Sequence, residues 1–459
     1  MALIVEIIDM RKILLIGAGR SASSLIKYLL ENAQQQNWFI TIAEKNTELA
    51  KAKIKDSQQA KVVEFDVNNE IQRLELISDS DLVISMLPAS MHFEVAKDCV
   101  ALKKHMVTAS YVSKEMKELH DEAVKQGVII MNEIGVDPGI DHMSAMRVID
   151  HIRDDLKGKM HAFETFTGGL VAPESDNNPW HYKFTWNPRN VVLAGQGTAV
   201  KFIQEGKYKY IPYHKIFRRT EIIDVEGHGK FEGYANRDSL QYREIYGLDD
   251  IPTMYRGTLR KPGFCRAWDC FVQLGATDDS YVLENSENMT YRDFINTFLA
   301  YNPNDSVEIK LKHYLNIHQD DIDLWEKLEW LDIFSDKKVG LKNATPAQIL
   351  QKILEEKWKL EPEDKDMIVM WHRFLFKINN DFREIHSSMV VKGDDQTYTA
   401  MAKTVGIPVA IAAKMILNGK IKTPGVHIPI TKEIYEPVLN ELEDYGIQFN
   451  EIEVEPRFY

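Results

Sequence analysis

The sequence predicts an α/β protein whose first domain is a doubly wound parallel sheet. Three observations point there. "RKILLIGAGRSASSLIKYLL" runs from an apolar strand through a glycine turn into a helix-length segment. "WFITIAE", "AKVVEFDV", "DLVISMLP", "HMVTASY" and "GVIIMNE" then recur as apolar runs, most of them separated by polar stretches long enough for a helix. The runs end in small, polar or chain-breaking residues. In an open α/β sheet those strand ends form the edge where ligands bind.

In the first of these elements, Gly17-Ala18-Gly19-Arg20-Ser21-Ala22 fits G-x-G-x-x-A. Gly17 permits the turn, Gly19 lets a pyrophosphate approach the backbone, and Ala22 keeps the helix close to the sheet. Free N–H groups at the helix start attract phosphate. Arg20 and Ser21 complete the loop. The second strand ends in Glu44, placed to accept both ribose hydroxyls of an adenosine. A carboxylate there repels a 2′-phosphate, so NAD is favoured over NADP, a preference that Lys45 and Arg20 soften. Leu87-Pro88, Ser110-Tyr111 and Asn132-Glu133 end later strands at the same edge, near the expected nicotinamide.

The bulk numbers fit this reading. With 459 residues, 44% of them hydrophobic, the chain has material for two or three cores. A net charge of −13 argues against a nucleic-acid partner but not against an anionic small molecule. The three cysteines have no paired spacing, which suits a reducing compartment. No Cys/His cluster, H-E-x-x-H or G-x-S-x-G signals a metal or a serine nucleophile. "MALIVEIIDM" lacks the basic start of a signal peptide, and residues 1–9 read as an added edge segment or a start-site artefact. No apolar run approaches the ~18–20 residues of a membrane span. A soluble cytoplasmic protein without a membrane partner is expected.

From about Lys159 the pattern changes. "KMHAFETFTGGLVAPE" starts as an alternating strand. "NNPWHYKFTWNPRN", "HGKFEGYANRDSLQYREIYG" and "YRGTLRKPGF" read as long, irregular, aromatic-rich loops. Residues 290–375 read as a helical block, with Ile322, Trp325, Leu328 and Leu331 at helical spacing and Thr345-Pro346 opening a helix. "DFREIHSSMVVKGDD" is expected as a returning strand. "IPVAIAAKMILNG" is expected as a small-residue helix with Pro408 near its start and Asn418-Gly419 at its stop.

Taken together, "GAGRSA", "MLPASMH", "TASYVS", "NEIGVDPGIDH", "TGGLVAPE", "YKFTWNPR", "NRDS", "YRGTLRKPGF" and "AMAKTVGIPVAIAAKMILNG…TPGVH" resemble the saccharopine dehydrogenase family, in its glutamate-forming branch. The motifs run in order from residue 17 to 427. The resemblance implies a Rossmann domain over 1–140 completed by about 397–425. It implies a mixed α/β substrate and dimerisation domain from 141–289, 376–396 and 426–459, and an inserted helical domain over 290–375 that caps the cleft. A homodimer follows. The implied reaction interconverts saccharopine, water and oxidised NAD or NADP with glutamate, 2-aminoadipate 6-semialdehyde and reduced cofactor.

That chemistry needs a group to hold the substrate ammonium and relay its proton. Asp137, whose family counterpart lines the active site, is the candidate; the plainer reading is that it only sets the Asp-Pro-Gly turn. The resemblance makes Tyr111 a substrate contact, against a packed core tyrosine. Glu133 either meets cofactor ribose or simply ends its strand. Asp141 is a natural helix cap, and His142 is either packed or catalytic. Thr167 stands where the family often has a cysteine, which removes a thiol role, while Gly168 and Gly169 let backbone approach a ligand. Three substrate carboxylates call for cations. Arg237 leads, with Asp238 and Ser239 orienting the glutamate end, and Arg256 and Arg260 follow. Tyr182, Lys183 and Trp186 either wall the cleft or belong to the core. Two rival readings are an imine reductase acting on a polyamine precursor and a nucleotide-binding regulator without catalysis.

Overall fold

A computed structural model describes residues 10–458 except 195, 197 and 198, so the expected edge segment at 1–9 lies outside the described residues. The chain divides into two compact units: residues 10–155 with 397–449, and residues 156–396 with 450–458.

The first unit is the doubly wound sheet. Its strands β1 (Arg11–Ile16), β2 (Trp38–Glu44), β3 (Ala60–Glu64), β4 (Leu82–Ser85), β5 (His105–Val107) and β6 (Ile129–Met131) are joined by a late strand, Gly425–His427. The order is late strand–β6–β5–β4–β1–β2–β3, and every pairing is parallel. Helices cover both faces, which explains why β1 and β4 read as unbroken apolar runs: Ile13–Ile16 and Leu82–Ile84 are almost wholly buried.

The helix Ala400–Leu417 packs on the helix Ser23–Gln36. A Cβ at Gly406 would stand 2.8 Å from the Leu25 nitrogen, so only glycine permits this approach. The helix begins at Ala400, after its Thr399 cap and eight residues before Pro408, so the proline expected near its start sits inside it. At 18 residues it is long and apolar enough to cross a membrane by length and composition, contrary to the expectation from the sequence, yet 72% of it is buried in the protein. Its apolar composition is that of a core helix.

Helices Ile140–Asp150 and Lys432–Glu443 also belong to the first unit, not to the second as the sequence suggested. They pack on each other, and the Tyr435 hydroxyl donates to Asp150 Oδ2 at 2.7 Å.

The second unit is built on a mixed sheet of β7 (Lys159–Val171), β8 (Val200–Gln204), β9 (Lys207–Ile211), β10 (Thr220–Val225), β11 (Gly229–Ala235), β12 (Thr253–Arg260), β13 (Asp366–Ile378), β14 (Asp381–Lys392) and the closing strand Asn450–Val454. β7 lies at the centre, parallel to β12 and antiparallel to β13. Much of the stretch expected as irregular loops is therefore strand. In β11 and β12 glycines fall where bulk cannot go: a Cβ at Gly257 would stand 2.4 Å from the Phe166 ring. Those glycines disguised the alternation.

The expected helices are present between Tyr291 and Lys357, and β13 begins at Asp366, inside the range assigned to the helical domain. These helices do not form a core of their own. Leu328, Leu350, Ile353 and Trp358 share one apolar cluster with Phe166 and Leu259 of the sheet. Leu328 and Leu331 are buried as expected, but Ile322, in the first turn of its helix, is 72% exposed.

Candidate active site

In the first unit the glycine loop is shaped for a dinucleotide. Gly17 has φ +95°, and a Cβ there would lie 2.9 Å from the Met86 carbonyl oxygen, so the turn admits no side chain. The place a Cβ would take at Gly19 is clear to 4 Å, which leaves backbone open to a pyrophosphate. Arg20–Ala22 form one tight turn and Ser23 opens the helix; Arg20 is exposed and Ala22 buried.

The Glu44 carboxylate accepts from the Ala18 N–H at 2.6 Å and from the Asn46 N–H at 3.1 Å. Lys53, which the sequence did not single out, donates to the Ala18 and Gly19 carbonyls at 2.7 and 2.6 Å. Burial lowers its pKa to about 8, against the pull of Glu44. Lys45 lies near Asp66 and helps to hold that carboxyl below its usual range, after the Asn68 backbone bond that leads the effect. These residues fit a nicotinamide dinucleotide.

At the ends of β4, β5 and β6 the remaining residues converge. Leu87 is half-buried and Pro88 exposed. Ser110 is tied to β4 through His92, whose ring nitrogens meet Ser85 Oγ at 2.8 Å and Ser110 Oγ at 2.6 Å. His92 is buried, and burial pushes its pKa down to about 4.

The Tyr111 hydroxyl donates to Asp137 Oδ1 at 3.3 Å. Both residues are half-buried. Asp137 rides on a turn closed by the Gly135 N–H to the Pro138 carbonyl at 2.9 Å. Glu133 is 2% exposed, and its carboxylate accepts from the Val112 N–H and meets His142 Nε2, each at 2.9 Å. Both its oxygens are thus engaged inside the protein, where the carboxylate braces the loop. Asp141 lies within the first helical turn, with Gly139 at the cap position that the sequence gave to the aspartate.

In the second unit, Thr167, Gly168 and Gly169 lie on β7. A Cβ at Gly168 would come 2.7 Å from the Leu259 carbonyl oxygen, so this glycine serves strand packing. Arg237 is exposed, in the left-handed conformation at φ +51°. Asp238 caps the turn after it by accepting from the Leu240 N–H at 2.9 Å. The buried Ser239 hydroxyl accepts from the Arg256 N–H at 2.9 Å. Asp238 and Ser239 therefore shape the loop that presents Arg237.

Tyr182 is not a cleft wall. It is wholly buried, with Trp358 at 5.0 Å and Phe264 at 5.3 Å between ring centroids. Arg260 stacks over the same ring. Lys183 is 4% exposed and bonds Asp364 at 2.5 Å, and Trp186 packs partly buried on the same core. Among the described residues no group of His, Cys, Asp and Glu is arranged to hold a metal ion, and Cys99, Cys265 and Cys270 are buried free thiols.

Residues 13–131 match the model for the saccharopine dehydrogenase NADP binding domain, and residues 135–447 that for the saccharopine dehydrogenase C-terminal domain. The chain belongs to the saccharopine dehydrogenase family. It is 34% identical over 451 residues to saccharopine dehydrogenase [NADP(+), L-glutamate-forming] of Schizosaccharomyces pombe, covering 96% of this chain and 99% of the relative. It is 35% identical to the mitochondrial alpha-aminoadipic semialdehyde synthase of Rattus norvegicus, covering 96% of this chain but 47% of that longer protein. Among solved structures, the apo histidine-tagged L-Glu-forming saccharopine dehydrogenase of Saccharomyces cerevisiae matches with a TM-score of 0.88 and 32% identity over 97% of this chain and all of the other. Within this family the preference for NAD expected from Glu44 finds no support, because the yeast relative that the chain matches end to end is an NADP(+) enzyme by name.

Proposed function

We propose that this chain is a glutamate-forming saccharopine dehydrogenase, an oxidoreductase acting on a CH–NH group in lysine metabolism. The observation that carries the reading is the end-to-end match, 34% identical, to a relative of that name. The same chain keeps Tyr111 against Asp137 at the ligand edge of its dinucleotide sheet.

The cofactor is NADP or NAD, with NADP favoured. Glu44 spends its carboxylate on loop backbone, and Lys53 offsets its charge. When bound, the nicotinamide dinucleotide accepts a hydride from the carbon beside the substrate nitrogen.

Asp137 pairs with the substrate ammonium and takes its proton, because an amine with a pKa of about 10 must lose that proton before hydride can leave. Tyr111 donates to Oδ1 and so fixes which carboxylate oxygen faces the substrate. Arg237 grips a substrate carboxylate through its planar fork. With hydride and proton gone the substrate C–N bond is a protonated imine. Water adds across it, and cleavage of that bond returns the nitrogen to glutamate and leaves the aldehyde. Thr167 offers a hydroxyl for hydrogen bonding but is too weak an acid for proton transfer at neutral pH. A cytoplasmic homodimer completes the reading, and light scattering on the purified chain tests the dimer.

The deciding assay follows the reduced-nicotinamide absorbance during saccharopine oxidation with each cofactor. Turnover with NADP and glutamate release are expected. Turnover of a diamine-derived imine with none of saccharopine would move the assignment to a polyamine precursor. Cofactor binding without any turnover would leave a regulator.

A further inference from the structure

The motif "NEIGVDPGIDH" carries two acids and a histidine beyond Asp137. Their geometry divides cleanly. Glu133 holds the residues on either side of Tyr111: its N–H donates to the Ser110 carbonyl at 3.1 Å, and its Oε1 accepts from the Val112 N–H at 2.9 Å. It does so at φ +53°, in the left-handed region that favours glycine. Asp141 holds the residues on either side of Asp137: its N–H donates to the Val136 carbonyl at 3.1 Å, and its Oδ1 accepts from the Gly139 N–H at 2.6 Å.

His142 stands between these two acids. Its Nε2 meets Glu133 Oε2 at 2.9 Å, and its Nδ1 lies 3.8 Å from Asp141 Oδ2. The imidazole is wholly buried and both acids are 2% exposed, so water does not screen the interaction.

We propose that His142 is a positioning residue that couples the Tyr111 segment to the Asp137 turn through Glu133 and Asp141, and so fixes the contact between the phenol and the carboxylate. The proposal rests on the reading of Tyr111 and Asp137 as groups that meet the substrate. His142 is closed off from solvent and from any ligand that approaches through it. Its effect falls on the catalytic step through the placement of the other two.

The test is a double-mutant cycle on saccharopine oxidation, with dinucleotide affinity and thermal midpoint measured beside it. His142→Leu is expected to lower kcat by about tenfold while dinucleotide Kd stays within about twofold of wild type. His142→Gln, whose amide nitrogen reaches the place of Nε2, is expected to recover most of that loss. Tyr111→Phe is expected to cost clearly less in the His142→Leu background than in wild type, because the phenol is already displaced.

Equal Tyr111→Phe effects in both backgrounds would overturn the proposal, as would a folded His142→Leu enzyme with wild-type kcat. If His142→Leu does not fold, the cycle is run with Glu133→Gln, to the same two criteria. Wild-type protein that binds dinucleotide but never oxidises saccharopine would sink the functional reading itself, before any variant is compared.

Discussion

The Tyr111 phenol donates to Asp137 Oδ1 across 3.3 Å, joining the loop after β5 to the turn after β6. The two chain segments are held separately, one by Glu133 and the other by Asp141. If Asp137 relays the substrate proton, Asp137→Ala lowers kcat by about 10²-fold or more, the usual range for a positioned acid or base. Tyr111→Phe, which removes only an orienting donor, lowers it less. Dinucleotide affinity stays near wild type in both. Steady-state kinetics with a fluorescence titration of NADPH check this, and an unchanged kcat in Asp137→Ala reduces that residue to a turn former.

Much of this site was legible in the sequence because its parts are local. A glycine that needs φ +95° and an acid at a strand end leave their mark within a few residues. The second unit was harder. Tyr182, Lys183 and Trp186 are the kind of residues that line a cleft, yet the partners that bury Tyr182 and Lys183, Trp358 and Asp364, lie about 180 residues along the chain. No local pattern announces a pairing at that distance. Lys53 was missed for a similar reason: its helix has no distinguishing motif, and its role appears only when the glycine loop folds beneath it. Ile322 failed through the reverse error, since its spacing is right but its place in the first helical turn leaves it in solvent.

Cofactor choice follows from the loop. Glu44 bonds the Ala18 N–H, and Lys53 bonds the carbonyls of Ala18 and Gly19. Glu44→Ala removes the carboxylate at the end of β2 and, if that carboxylate faces the adenosine ribose, is expected to shift the kcat/KM ratio toward NADP by about tenfold, the equivalent of ~1.4 kcal/mol. An unchanged ratio would show that Glu44 serves the loop alone. Lys53→Met frees two carbonyls and is expected to weaken both cofactors. A loss confined to NADP would instead place the ammonium on the 2′-phosphate. Competition titrations of NADPH and NADH separate the outcomes.

His92 gives a prediction in pH. Buried between Ser85 and Ser110, it has its pKa lowered to about 4, against about 6.5 for an exposed imidazole. The unfolded chain therefore binds an extra proton between those values, and stability falls as pH drops through that window. The term amounts to about 2 kcal/mol at about pH 5 relative to about pH 7.5. His92→Gln keeps polar atoms near both serines but does not titrate, so it flattens that part of the profile. Denaturant unfolding at the two pH values reads the difference, and equal slopes in wild type and variant would show that the histidine is protonated in the fold.

The second unit has its own electrostatic centre at Arg373, which is wholly buried. Its guanidinium bonds Glu164 Oε1 at 2.9 Å and both oxygens of Glu384 at 2.9 Å, and donates to the Arg457 carbonyl. Burial alone would raise the Glu384 pKa, but bonds from His386, Arg373 and the Arg457 N–H outweigh it and hold the carboxyl at about 2. Removing the cation leaves two carboxylates in the interior, so Arg373→Met is expected to destabilise the unit by about 3–5 kcal/mol at neutral pH. The sign with pH is fixed. In wild type the Glu384 contribution is present above about pH 4.3, the ordinary glutamate value, and is lost only as pH falls through about 2. In the variant the stranded carboxyl protonates more readily, so the gap between the two proteins narrows as pH drops below about 5. Denaturant unfolding of both proteins at about pH 7.5 and about pH 4.5 measures this gap. A constant gap would mean that Arg373 stabilises the sheet by packing its side chain and not by its charge.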